Sequence, residues 1–243
     1  MLSKDHSTRV NNRLCTGDDE IVISGISGRF PNSRNMHELA SNLYNKVPLT
    51  DDKETRWKHV HPEIPRFSGK ISDVEKFDAN FFGVRSKAAH VMDPQARVLL
   101  EESYQAVLDA GINPKLFKGS RTGVFVGAST SESEVVWCYE RDAPEGLPLS
   151  GNSRALLANR ISFSLNLNGP SMAVDAACSS SLMALDLAYN AIALGECDAA
   201  IVAGTSVILN AMSSLHFFRL GIISPTDMCR PFDEKADGYT RSE

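Results

Sequence analysis

One cysteine lies at a junction where a thiol could act as a nucleophile. In the stretch VDAACSSSLMAL, residues 174–185, Cys178 follows an apolar, strand-like run and precedes a run with helical spacing. At the start of a helix, unpaired backbone amides and the positive end of the helix dipole favour the thiolate over the thiol. The same amides can hold a developing oxyanion. The local pattern leaves two interpretations open, a nucleophile or a buried cysteine that does no chemistry.

The other cysteines and the histidines provide no second catalytic group. Cys197 lies in a turn before a strand and Cys15 lies in a polar N-terminal segment, so both are interpreted as bystanders. A cysteine nucleophile normally needs a base or a proton partner. None of the histidines lies in a motif that supports a catalytic role. His216, which is flanked by apolar residues, is interpreted as a packing residue. The histidines are His6, His37, His59, His61, His90 and His216.

Alternating strands and helices would position this cysteine. Continuous apolar runs predict buried strands at TGVFVGAS, SMAVDAAC and DAAIVAGTSVIL, and a short β-rich run at EIVISGISGRF. Helical spacing predicts helices at NMHELASNLYNKV, MDPQARVLLEESYQAVLDAGINP, SRALLANRISFSL and SSSLMALDLAYNAIALG. The second of these helices has Asp93 as its N-cap, Pro94 in its first turn and Gly111 at its end. This alternation is typical of a parallel or mixed sheet with helices on both faces, so the predicted fold class is α/β.

Composition excludes several classes of function. The net charge of −5 gives no reason to expect nucleic acid or an anionic membrane as a partner. Five scattered cysteines without a CxxC pair argue against a disulfide framework and against a metal site. No apolar run approaches the roughly 20 residues that span a bilayer. We therefore expect a cytoplasmic protein without membrane insertion.

The ends of the chain differ in character from its middle. Residues 1–19 are polar and are predicted to form a disordered tail, and residues 20–243 are predicted to form one truncated domain. The final stretch CRPFDEKADGYTRSE is charged and rich in turn residues, and no closing strand or helix follows it. Residues 48–80 contain several prolines among charged residues and are predicted to form a long segment without regular secondary structure.

An ordered set of motifs resembles the β-ketoacyl synthases, the condensing enzymes of fatty acid and polyketide synthesis. The motifs are GISGRFP, FDANFFG, MDPQARVLLEESYQAVLDAG, GVFVGAS, ANRISFSLNLNGPS, GPSMAVDAACSSSLMAL, GECDAAIVAG and LGIISPTDMCRPFDEKADGYTRSE. They appear in the family's order over about residues 20 to 243. Their details are most similar to the N-terminal ketosynthase domain of the animal-type fatty acid synthase. One departure is Ala176, where the family commonly has threonine.

The resemblance implies a thiolase-like fold with α-β-α-β-α layers, active as a homodimer. This chain would hold the N-terminal half, with the start of the second half missing. The match implies Cys178 as the nucleophile, with its backbone N–H in the oxyanion hole. The family's second half carries two histidines in HGTGT-like and NxGH-like motifs, and neither motif occurs here. Charged residues in the other motifs are interpreted as structural caps and as partners in loop hydrogen bonds, namely Asp93, Arg97, Asp233 and Asp237.

The implied reaction is a decarboxylative Claisen condensation. An acyl group passes from the phosphopantetheine arm of acyl carrier protein to Cys178, and malonyl carrier protein then supplies the attacking carbanion. The resemblance implies no metal or redox cofactor for this step. Two alternatives stay open: a polyketide synthase ketosynthase, and a catalytically incompetent truncated chain that lacks both histidine motifs.

Overall fold

Three parallel strands and nine helices form the regular elements in the part of the chain that the structure describes. The computed structural model describes residues 20–53, 56–57, 61–140, 146–226 and 228–243. The strands are β1 (Thr122–Gly127), β2 (Ser171–Val174) and β3 (Ala199–Gly204). In chain order the helices are α1 (Met36–Tyr44), α2 (Ser86–Val91), α3 (Pro94–Asp109), α4 (Pro114–Phe117), α5 (Glu132–Val135), α6 (Leu147–Asn152), α7 (Leu157–Leu165), α8 (Ser180–Ala193) and α9 (Ala211–Arg219). A π-helical turn (Val136–Glu140) follows α5, and a 3₁₀ turn (Arg154–Leu156) precedes α7.

The described residues form two compact units. The first unit comprises residues 20–27 and 77–206, and the second comprises residues 28–76 and 207–243. All three strands lie in the first unit, in the order β2-β1-β3, and both pairings are parallel. Val126 of the central strand lies opposite Ala173 of β2 and Ala203 of β3. The carboxyl ends of the three strands therefore meet at one edge of the sheet.

Helices cover both faces of this sheet. Every residue of β1 is buried. Val124 and Val126 pack with α3 and α7 in one apolar cluster, whereas Phe125 packs with α8 in a second cluster. Successive side chains of a strand point to opposite faces, so a central strand in such a sandwich is a continuous apolar run. The prediction of a parallel sheet covered on both faces is confirmed.

Local signals fix the bounds of α3. The Asp93 carboxylate accepts a hydrogen bond from the Gln95 N–H at 2.8 Å, and Pro94 occupies the first helical position. The helix ends before Gly111, which has a φ of +73°. Asp93 is 1% exposed and also accepts a hydrogen bond from the Ser131 hydroxyl. The cap predicted from the sequence is confirmed.

The prediction of a β-rich run at EIVISGISGRF is wrong for residues 20–27. These residues pair with no strand within the described part of the chain. Gly25 instead lies so close to α3 that an added Cβ would be 2.3 Å from the Ala106 oxygen. The Ile26 N–H donates to the Asp109 carboxylate at 2.8 Å. The segment therefore packs against α3 and donates a backbone hydrogen bond to a side chain of that helix, whereas a strand would pair its backbone with a neighbouring strand. The predicted tail, residues 1–19, lies outside the described residues.

The side chain of Glu243 bonds to several segments of the second unit. This side chain is fully buried, and its carboxylate accepts hydrogen bonds from Arg56 at 2.5 Å, from the Ile71 N–H at 2.7 Å and from the Ile208 N–H at 2.9 Å. In the predicted irregular region, the bridge between Asp51 and Ser68 is an isolated antiparallel pair. The carboxylate therefore connects three segments that are distant in sequence.

Candidate functional site

Cys178 lies on an exposed turn between a strand and a helix. The strand β2 ends at Val174, and α8 begins at Ser180 with Ser179 as its N-cap residue. The cysteine is exposed, so its sulfur is open to a reagent or a substrate. The turn also lies at the carboxyl edge of the parallel sheet, where ligands of open α/β sheets commonly bind.

The serine hydroxyls hold this turn. The Ser179 hydroxyl donates to the Ala176 oxygen at 2.8 Å, and the Ser180 hydroxyl donates to the Ala177 oxygen at 2.6 Å. The Ser180 oxygen also accepts from the Ala176 N–H at 2.9 Å. Ser179 is the N-cap residue of α8, but its side chain makes no hydrogen bond to the first amides of the helix. The hydrogen bonds of these serines go back to the residues before Cys178, because the tight turn brings those backbone groups within reach.

Ala177 gives the turn its sharp change of direction. Its φ is +51°, in the left-handed region that a side chain normally avoids. This conformation costs about 1 kcal/mol for a residue other than glycine, so neighbouring contacts must hold it. The Asp175 carboxylate accepts a hydrogen bond from the Ala177 N–H at 3.1 Å. That amide, the Ser129 hydroxyl and Arg154 together lower the pKa of Asp175, which keeps the carboxylate ionised.

Two strand-end glycines let α8 begin close to the sheet. A Cβ added to Gly127, the last residue of β1, would be 2.5 Å from the carbonyl carbon of Ser180. A Cβ added to Gly204, the last residue of β3, would be 2.7 Å from the Cβ of Ser181. Real Cβ atoms do not approach other atoms so closely, so both positions require glycine for this packing. The start of α8, two residues after Cys178, therefore rests directly on the strand ends.

The other described cysteines differ from Cys178 in their surroundings. Cys197 is 2% exposed, and burial raises the pKa of its thiol. Desolvation, followed by the charge of Glu134, raises the pKa of Cys138. Cys229 is exposed and accepts a hydrogen bond from the Thr240 N–H. Cys15, together with His6 and His59, lies outside the described residues.

The packing role suggested for His216 is wrong. Helix α9 buries Ala211, Ser214 and Leu215, and His216 lies on its exposed side. Among the described residues, the apolar neighbours of His216 therefore do not bury its imidazole. Sequence neighbours on a helix point in different directions, so an apolar neighbour does not imply a buried histidine.

The family follows from a match along nearly the whole chain. Residues 18–243 match the model of the β-ketoacyl synthase N-terminal domain. The chain belongs to the β-ketoacyl synthase family. It is therefore of the ketosynthase type found in fatty acid and polyketide synthases. No helix among the described residues is long and apolar enough to cross a membrane.

Relatives of both synthase types are similar to this chain. A fatty acid synthase of the goose Anser anser anser is 47% identical over 225 residues, which cover 93% of this chain and 64% of that sequence. A phenolphthiocerol/phthiocerol polyketide synthase of Mycobacterium tuberculosis is 36% identical over 238 residues, covering 93% of this chain and 13% of that sequence. This chain thus spans less than two thirds of either relative.

A solved ketosynthase structure supports the fold assignment. The oxazolomycin ketosynthase domain of Streptomyces albus JA3453 matches with a TM-score of 0.82 at 34% identity. The match covers 92% of this chain and 42% of that one. The predicted α/β, thiolase-like fold class is confirmed by this likeness.

Sequence reasoning missed most of the residues that hold the Cys178 turn. Asp175 lies three residues before the cysteine and could have been noticed as an Asx-type acceptor for a nearby amide. Gly127 could have been noticed as a glycine that ends a buried strand. Arg154 lies 21 residues before Asp175, and no pattern in the sequence relates the two.

Proposed function

We propose that this chain is the cysteine-bearing part of the ketosynthase of a fatty acid synthase, and that Cys178 is its acyl-accepting nucleophile. The observation that carries the proposal is the exposed thiol on a tight turn between a parallel strand and a helix start. The identity to goose fatty acid synthase favours the fatty acid type. In this proposal residues 20–243 belong to one ketosynthase domain, and residues 1–19 precede it as a tail.

The first half of the reaction uses the thiolate of Cys178. The sulfur attacks the acyl carbon of a thioester on the phosphopantetheine arm of acyl carrier protein, and the carrier thiolate leaves. Backbone amides at the turn, among them the Cys178 N–H, would stabilise the negative charge that develops on the acyl oxygen. The products are an acyl-cysteine thioester and a free carrier thiol.

The second half joins the acyl group to malonyl carrier protein. The malonyl group loses carbon dioxide, and the carbanion that remains attacks the acyl carbon on Cys178. The cysteine leaves as a thiolate, and the product is a 3-oxoacyl carrier protein that is longer by two carbons. The decarboxylation uses two histidines from motifs that this chain lacks. We therefore expect the 243-residue chain alone to form no condensation product.

The proposed partners are acyl carrier protein and a second copy of the enzyme. Among the described strands β2 lies at an edge of the sheet, and this supports the homodimer because an edge strand can pair with another strand. Met172 on this strand is 40% exposed, and Phe163 of α7, which packs on β2, is 90% exposed. Sedimentation of the full-length protein should give a dimer, and a monomer at micromolar concentration would contradict this part of the proposal. The cytoplasmic location stays a prediction.

The function is tested by measuring 3-oxoacyl product from acyl and malonyl carrier protein with the full-length protein. Replacing Cys178 by alanine should abolish product formation, because no acyl-enzyme can form. The matched control is Cys229→Ala, which removes the other cysteine that is exposed among the described residues and should leave the rate within about twofold. A Cys178→Ala variant that retains the wild-type rate would refute the proposal.

A polyketide synthase ketosynthase is the second candidate. The similarities to the mycobacterial synthase and to the oxazolomycin ketosynthase favour it. The two types are distinguished by the domains that accompany the ketosynthase. A complete reductive set in the full-length protein supports the fatty acid type, and a partial set supports the polyketide type.

A further inference from the structure

Arg154 connects the two loops that leave the carboxyl ends of β1 and β2. One guanidinium nitrogen donates to the Asp175 carboxylate at 2.9 Å and also to the backbone carbonyl oxygen of Ser129. Ser129 follows β1, and Asp175 is the first residue after β2. The Arg154 side chain is 38% exposed, and its Nε lies 3.8 Å from the Glu134 carboxylate. A planar guanidinium with several donors suits such a bridge between fixed acceptors.

The Asp175 carboxylate has one oxygen on each side of this connection. Oδ2 accepts from Arg154 at 2.9 Å, and Oδ1 accepts from the Ala177 N–H at 3.1 Å. The arginine, together with the Ser129 hydroxyl, therefore fixes the carboxylate, and the carboxylate fixes the amide of the residue before Cys178. Ala177 is the residue with a φ of +51°. Without this hydrogen bond, the turn would keep only the hydrogen bonds of Ser179 and Ser180, and the strained conformation of Ala177 would be less firmly held.

We propose that Arg154 is a positioning residue for the Cys178 turn and acts through Asp175, an inference that rests on the proposed function of Cys178. The left-handed conformation of Ala177 sets the direction in which the next peptide unit points, and that unit carries the Cys178 N–H. Acyl transfer requires both the sulfur and this amide to face the thioester. Alkylation by iodoacetamide requires only an accessible thiolate, because no oxyanion forms. Loss of the arginine should therefore slow acyl transfer far more than alkylation.

The test compares these two reactions of Cys178 in the full-length protein. Acyl transfer from an acyl-phosphopantetheine thioester and alkylation by iodoacetamide are each followed by peptide mass spectrometry. In Arg154→Gln and in Asp175→Asn, acyl transfer should fall by about 10-fold or more. Alkylation should change by less than about twofold. Asp175→Asn keeps the shape of the side chain, so it gives the same comparison if Arg154→Gln does not fold.

A double variant tests whether the effect of Arg154 passes through Asp175. If it does, the combined variant should acylate within about twofold of the slower single variant, because both changes break one connection. The matched control is Glu134→Gln, which removes another charge beside Arg154 but has no hydrogen bond to the turn. It should acylate at the wild-type rate.

The outcomes separate this inference from the proposed function. Equal losses in acyl transfer and alkylation, an undiminished acyl transfer in Arg154→Gln, or additive effects in the double variant would each overturn the positioning role. In all three cases the wild-type protein still becomes acylated on Cys178, so the proposed function stands. A wild-type protein that takes no acyl group on Cys178 would overturn both.

Discussion

Replacing Gly127 by alanine inserts a methyl group where the helix that follows Cys178 begins. The new Cβ would be 2.5 Å from the carbonyl carbon of Ser180 and 2.6 Å from the Ser181 nitrogen. Ordinary contact between such atoms needs about 3.5 Å, so the helix start must retreat by about 1 Å. Both neighbours are backbone atoms, which no side-chain rotation can move away. A displacement of this size at a reacting group reduces the rate by about 100-fold.

The assay is the rate of acyl transfer to Cys178 per folded molecule, together with the free energy of unfolding in urea. The expected loss of stability is about 1–3 kcal/mol, as for other overpacked sites. The matched control is Gly123→Ala in the same strand, where the new Cβ would meet side chains, the Phe125 ring at 2.7 Å and the Cys197 sulfur at 3.3 Å. That variant should lose stability but keep its acyl-transfer rate within about twofold. Wild-type acyl transfer in Gly127→Ala, or equal slowing in both variants, would refute the reasoning.

Further predictions concern titration, ion pairing and thiol reactivity. Burial raises the pKa of Asp93 in the folded protein above its ordinary 3.8. The protonated Asp93 side chain therefore contributes stability below pH 3.8, and this contribution is lost as the pH rises through the folded-state pKa. The free energy of unfolding of wild type minus that of Asp93→Asn should therefore fall as the pH rises, and a difference independent of pH would contradict this. Glu243→Gln leaves Arg56, whose side chain is 12% exposed, without its buried counter-ion. This substitution should lower the free energy of unfolding in urea by about 3–5 kcal/mol. A loss below about 1 kcal/mol would show that Glu243 does not act as a buried counter-ion for Arg56. Because Cys197 is buried and its pKa is raised, iodoacetamide should modify it at least about 10-fold more slowly than Cys178. Equal rates in a timed peptide map would show that burial does not protect Cys197.

Elements with local signals could be predicted from the sequence. Helix α3 begins at a capping aspartate followed by proline and ends before Gly111, and each signal acts within a few residues. The position of Cys178 before a helix could be predicted for the same reason, since an apolar strand and a helical run meet there. These predictions succeeded because neighbouring residues determine caps and junctions.

Contacts between distant segments could not be predicted in this way. Arg154 and Asp175 are 21 residues apart, and Arg56 and Glu243 are 187 residues apart. Their meeting depends on how the strands and loops are arranged, which charge patterns along the chain do not encode. The wrong prediction for residues 20–27 has a related cause. Apolar composition favours an extended chain, but a strand also needs a pairing partner, which composition does not reveal.

The site of acyl attachment tests the central claim most directly. The full-length protein is incubated with an isotopically labelled acyl thioester, digested and mapped by tandem mass spectrometry. The acyl group should be found on Cys178, because this thiol is exposed on the turn between β2 and α8. An acyl group on Cys138, Cys197 or Cys229, with Cys178 unmodified, would contradict the assignment of the nucleophile.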